Sequence, residues 1–173
     1  MPVKTPRELF VQMLSNLRQG TERSTKLVQE FTQGVQDPDV KEALEARIFV
    51  HQKILDTLDQ CFKIIGEQPM KVSSRLYDAF VEDFRSEIAD VQNPTARNLF
   101  ILAKVSQVVH HRIAEYRALI AAADLSGHYA VSVLLESGLA DKVAFVERTR
   151  RLIETITQVK TAERIAAKSA QVA

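Results

Sequence analysis

The sequence has no tryptophan and a single cysteine, Cys61, in 173 residues. One thiol cannot close an internal disulfide. That excludes a disulfide-stapled secreted scaffold and leads to the expectation of a reducing, cytoplasmic compartment. An excess of one charge is also lacking. Lys and Arg total 23 against 22 Asp and Glu, for a net charge of +1. Electrostatic capture of nucleic acid or of an anionic membrane is therefore not expected as the main activity. No apolar run approaches the ~18 residues that a membrane span requires. The first residues, MPVKTPRELF, carry no apolar core of a signal peptide. There is no glycine-rich phosphate loop, no Gly-x-Ser-x-Gly elbow and no basic–aromatic platform. Strand signals are nearly absent too.

What is present is helical. The hydrophobic fraction is 46%, enough for one domain with a real core. All five prolines, at positions 2, 6, 38, 69 and 94, fall outside the apolar-periodic runs. Thr5-Pro6-Arg7-Glu8 reads as a capping box with proline at the first helical position. Asp37-Pro38 and Asn93-Pro94 repeat the cap-then-proline device. Gly66 and Gly127 are natural stops, because glycine takes positive φ without a Cβ clash. These breaks predict long helices at about 6–33, 38–65, 94–124 and 128–158, with a shorter one at about 74–91.

Apolar residues recur at helical spacing on each long segment. They include Phe10, Leu14 and Leu17 on the first and Leu44, Leu58 and Phe62 on the second. Leu102, Val109 and Tyr116 mark the third, and Val131, Leu135 and Phe145 the last. Each helix thus has one dry face. Short links at Gly34–Asp37 and Leu125–Gly127 make antiparallel hairpins, whereas the link from about 66 to 93 is long and carries its own helix. The expected fold class is all-α: a ferritin-like four-helix bundle, two antiparallel hairpins joined by a long crossover with a short fifth helix. The bundle is expected over residues 1–159, followed by a polar, alanine-rich tail at 160–173.

Such bundles hold two metal ions with a glutamate from each of two helices and a Glu-x-x-His pair from each of the others. That spacing is missing here. Three residues before His51, His110, His111 and His128 stand Ile48, Gln107, Val108 and Leu125. None is a carboxylate. His51 falls on the apolar stripe of the second helix; a core histidine satisfied by one hydrogen bond is its plainer reading. Adjacent His110 and His111 point about 100° apart and cannot share one ion easily. His111 and Glu115 lie one turn apart on the face opposite the stripe, expected to be solvated. Cys61, on the core stripe, reads as an inert thiol. Arg47 and Lys142 both project onto apolar stripes, where an unpaired cation is costly. Lys142 could occupy the space of a metal. Gly20, Thr21 and Ser24 interrupt the stripe of the first helix and either line a cavity or permit close helix approach.

Several segments together carry a family resemblance. They are Thr5-Pro6-Arg7-Glu8-Leu9-Phe10, Leu58-Asp59-Gln60-Cys61-Phe62 with Gly66-Glu67-Gln68-Pro69, and Ile113-Ala114-Glu115-Tyr116 leading to Gly127-His128. Leu134-Leu135 and Leu139 continue the pattern. In these the chain resembles the YciF/YciE-like branch of the ferritin-like superfamily over about residues 5–156. The resemblance implies a helical dimer, bacterial stress association and a di-metal centre. At the acidic positions the family uses, this chain has Thr21, Val50, Val109, Arg112 and Lys142. The expectation is therefore a degenerate member: a non-catalytic bundle that acts through protein association, a homodimer, with no cofactor, no nucleic acid and no membrane. The alternative is an iron or manganese oxidoreductase or iron-binding protein with an altered ligand set of His51, His110 and Asp141. A third reading is a cavity near Gly20 and Lys142 that takes a small anion.

Overall fold

The computed structural model describes residues 3–172, with side chains described through Val159 and at Thr161 and Ala162. Five helices follow in order: α1 (Pro6–Gln33), α2 (Pro38–Ile65), α3 (Arg75–Asp90), α4 (Pro94–Leu125) and α5 (Tyr129–Val172). Three of the four long helices, α1, α2 and α4, start and stop where capping chemistry places them. The Thr5 hydroxyl accepts the Glu8 amide at 3.1 Å. The reciprocal half of the capping box differs from expectation, because Glu8 accepts the Lys4 amide at 2.7 Å. Asp37 accepts two orphan amides of α2 and Asn93 one of α4. Gly66 and Gly127 take φ of 70° and 76°, which a side chain would resist. The last helix continues through the alanine-rich segment to Val172.

The helices pack as a square. α1 lies against α2 and α4, and α5 lies against the same two. Phe10 near the start of α1 stacks on His128 beyond the end of α4, with ring centres 5.3 Å apart, so α1 and α4 run antiparallel. The crossover climbs beside α1 in register. Glu67 pairs with Arg7, the Met70 amide with Ser15, the Val72 amide with Gln19, Asp78 with Arg23 and Arg85 with Glu30. This fixes the topology as two hairpins joined by a connection that runs the length of the bundle, as the long 66–93 segment predicts.

The core has two apolar clusters. One gathers Phe10, Leu14, Leu17, Leu58, Phe62, Tyr116, Leu119 and Leu135. The other gathers Leu27, Phe31, Leu44, Phe84, Leu102, Val105 and Phe145. Between them lies a polar layer, described below. Close approach of α4 and α5 depends on Gly138, which is buried. A Cβ there would lie 2.8 Å from the hydroxyl and Cε1 of Tyr116, a fully buried ring. Gly138→Ala gains about 1 kcal/mol of helix propensity but overpacks a rigid aromatic at about 1–3 kcal/mol. The expected net is a loss of about 1–2 kcal/mol, read as a lower urea midpoint with unchanged m-value. A variant more stable than wild type would contradict the tight contact.

Candidate functional site

The polar layer between the two clusters is built from cations. Arg47 on α2, Arg112 on α4 and Lys142 on α5 are 3%, 6% and 1% exposed. His51, one turn after Arg47, is 3% exposed. With Thr21, Ser24, Val108 and Val109 among others, these side chains line a cavity of about 20 Å³. Helical spacing explains the gathering. Arg47 and His51 are separated by four residues and share a face of α2, and each cation stands where a core-facing position falls on its helix.

Each cation is held differently. Arg47 places its guanidinium 4.8 Å from the centre of the Phe145 ring. Burial pulls its pKa down to about 10, while Tyr116 and Asp141 oppose the shift; it stays charged at neutral pH. Arg112 donates to Glu115 at 2.5 Å from Nη1, while its Nε is buried without a partner. Its guanidinium occupies the space that a Cβ on Gly20 would fill, 2.2–2.5 Å from that point. The small residue of α1 is thus a seat for an arginine. Lys142 lies 5.7 Å from the centre of the Tyr116 ring and makes no ion pair or hydrogen bond among the described residues. Burial drives its pKa well below the ordinary lysine value, Arg47 and Arg112 add to this, and Asp141 and Glu115 work against it.

The histidine is neutral. Thr25 donates its own proton to the Thr21 carbonyl at 3.1 Å. Its oxygen, 3.3 Å from His51 Nδ1, then accepts from that nitrogen, so Nε2 is the bare one. Burial, then Arg47, Lys142 and Arg112, depress the His51 pKa to about 2. A buried uncharged histidine with one hydrogen bond is the plainer of the two sequence expectations.

The altered ligand set is not brought together. His110 is exposed on α4, with Nδ1 against the Ser106 carbonyl at 2.9 Å. Asp141 is half-buried beside Lys142 in sequence, and His51 is deep in the core. Among the described residues no three His, Cys, Asp or Glu side chains form a group that could hold a metal ion. Thr21 and Val109 are buried and Val50 is half-buried. Cys61 is fully buried, and burial pushes its thiol up to about 12. Glu115 departs from expectation. Rather than being merely solvated, it is half-buried and reaches both Arg112 and His111. The Arg112–Glu115 spacing of three residues was the available signal.

Residues 5–162 match the family described as a domain of unknown function, DUF892. The chain belongs to the DUF892 family. No curated protein matches it. Among solved structures, this DUF892 chain is similar to YcfI from Rhodopseudomonas palustris, at 24% identity over 86% of this chain and 94% of that one, TM-score 0.82. It is similar to the E. coli stress protein YciF at 17% identity, covering 90% and 99%, TM-score 0.85. It is also similar to a ferritin-like, diiron-carboxylate protein from Bacillus anthracis at 16% identity, covering 87% and 99%, TM-score 0.67. The fold is that of a YciF-like, ferritin-like helical bundle.

A diiron centre does not fit the residues of this layer. Two such ions need four to six anionic or imidazole ligands turned inward. Here the inward groups are Arg47, Arg112, Lys142 and a single imidazole. The half-buried carboxylates that act on Lys142 in this layer are Glu115 and Asp141. A dication placed among three buried cations meets repulsion that these two cannot offset.

Proposed function

We propose that this DUF892 chain is a non-catalytic ferritin-like bundle that acts through protein association, as a homodimer, in a cytoplasmic, stress-linked role. One observation carries the reading: Arg47, Arg112 and Lys142 are buried around one cavity in the bundle interior, and two of them, Arg112 and Lys142, stand at positions where the YciF/YciE-like resemblance implies carboxylates. A bundle that has exchanged its ligand layer for arginine and lysine keeps its shape and surface but not redox chemistry at that layer. The fold likeness to the E. coli stress protein YciF supports the stress-linked setting. Among the described residues no helix is long and apolar enough to cross a membrane.

Association has a surface to use. Tyr129, Val133, Ala140 and Val143 are exposed on α5 at spacings of four, seven and three, so they fall on one face. Tyr129 and Val133 are 69% and 66% exposed. A stripe with coiled-coil spacing, apolar except for the exposed Glu136 between Val133 and Ala140, on a helix of this length suits a second copy of the same helix. Light scattering is expected to give twice the 19.5 kDa chain mass. Val133→Asp is expected to halve it while leaving the helical circular dichroism unchanged. A 19.5 kDa wild-type mass would remove the homodimer. Oxygen-dependent oxidation of ferrous iron, abolished by His110→Ala, would instead establish the oxidoreductase alternative.

A further inference from the structure

The cationic layer has a charge imbalance that the protein alone does not resolve. Three buried cations face or border one cavity. The carboxylates near enough to act on Lys142 are Asp141 and Glu115, and Glu115 is already bound to Arg112 at 2.5 Å. With Lys142 protonated, the layer carries one uncompensated positive charge. An unpaired buried ammonium costs several kcal/mol in general, so either it loses its proton or something negative joins it.

The cavity lining favours a negative occupant over a further protein group. The hydroxyl protons there are already committed: Thr21 donates to the Leu17 carbonyl at 2.8 Å and Ser24 to the Gly20 carbonyl at 2.6 Å. The donors left for an occupant are Lys142, Arg47 and Arg112, whose Nε is buried and unpartnered. The volume, about 20 Å³, takes one occupant of roughly water size. That excludes phosphate, sulfate and metabolite carboxylates.

We propose that this layer binds one halide ion, of chloride size, between Lys142, Arg47 and Arg112. The halide supplies the missing negative charge and lets Lys142 keep its proton. The groups facing Lys142 are Thr21 and Ser24 from α1, Arg47 and His51 from α2, Arg112, Glu115 and Tyr116 from α4, and Asp141 on its own helix. Arg112 lines both the inner cavity and a surface groove of about 310 Å³ with Gln19, Gly20 and Val72, so its side chain stands between the groove and the site, and an ion enters only if that side chain moves. This site is independent of dimerisation.

The test uses the full chain exchanged into sodium gluconate, with sodium chloride or bromide replacing gluconate at constant ionic strength. Above the dissociation constant, each tenfold rise in halide is expected to raise Tm by about 3–6 °C. Lys142→Met and Arg47→Met, two independent variants, are each expected to lose the response. Crystals grown in bromide are expected to show an anomalous peak within hydrogen-bond distance of Lys142 Nζ. A wild-type Tm indifferent to halide, an undiminished response in both variants, or a water in that cavity from bromide-grown crystals would each overturn the proposal.

Discussion

In halide-free buffer at pH 7, Lys142→Met is expected to stabilise the protein by about 1–4 kcal/mol, the range seen when whole buried ion pairs are exchanged for apolar residues of similar volume, because no direct ion-pair partner is left stranded by the change. Methionine keeps the length and flexibility of the lysine stem and discards the ammonium. The lysine is 1% exposed, so the charge it would carry is almost wholly desolvated. Removing it also relieves repulsion from Arg47 and Arg112. The pH dependence follows from the lowered pKa. The unfolded lysine holds its proton up to about 10.4, while the folded one releases it at lower pH. Between those two values the unfolded state binds more protons, so wild-type stability rises with pH. His51, at about 2, stays neutral throughout this window, and Arg47, at about 10, joins only at its upper end. The advantage of the methionine variant should therefore shrink between neutral pH and about pH 10. Urea midpoints across that range measure it. A variant less stable than wild type at pH 7 would mean that the ammonium has a partner.

Phe84→Ala is expected to cost about 3 kcal/mol, near the low end for removing a buried aromatic. Phe84 is the only buried residue of α3. Its ring centre lies 4.0 Å from that of Phe31 and 5.8 Å from that of Phe100. The remaining ties are the partly buried Tyr77, Phe80, Val81 and Ile88, which pack on the same cluster, a hydrogen bond from Arg97 to the Ile88 carbonyl, and three ion pairs: Arg85 with Glu30, Arg23 with Asp78, and Lys104 with Glu87. Exposed pairs of this kind contribute about 0–1 kcal/mol each. α3 should then undock locally, and this caps the global cost. Hydrogen exchange separates the two effects. Amides of α3 should lose protection by about 10²-fold, whereas those of α1, α2, α4 and α5 change little. Equal loss of protection in all five helices would show that α3 is integral to the cooperative unit.

The fold was legible because its punctuation is local. Thr5, Asp37 and Asn93 cap helices through their own side chains, and Gly66 and Gly127 end them through backbone freedom. Loop lengths then gave the topology, and the ladder from Arg7–Glu67 to Glu30–Arg85 shows the long crossover doing what its length required. The site was legible residue by residue but not as a group. Arg47 and Lys142 stood out on apolar stripes, and Arg112 stood at a position of lost acidity. That the three converge on one cavity depends on the rotation and stagger of α2, α4 and α5, which no local pattern encodes. The role of Gly20 was hidden for the same reason: its partner, Arg112, is 92 residues away in the chain. Glu115 was misplaced because a helix face assigned from apolar periodicity leaves out a carboxylate drawn inward by an arginine one turn earlier.

The central claim is that cations have replaced the metal ligand layer of an otherwise intact ferritin-like bundle. Elemental analysis tests it most directly. The protein is purified without chelator from cells grown with iron and manganese, and metal per chain is determined by mass spectrometry. The account predicts iron and manganese together far below one ion per chain, in wild type and in Lys142→Met alike. Near-stoichiometric iron or manganese in the wild-type protein would contradict it.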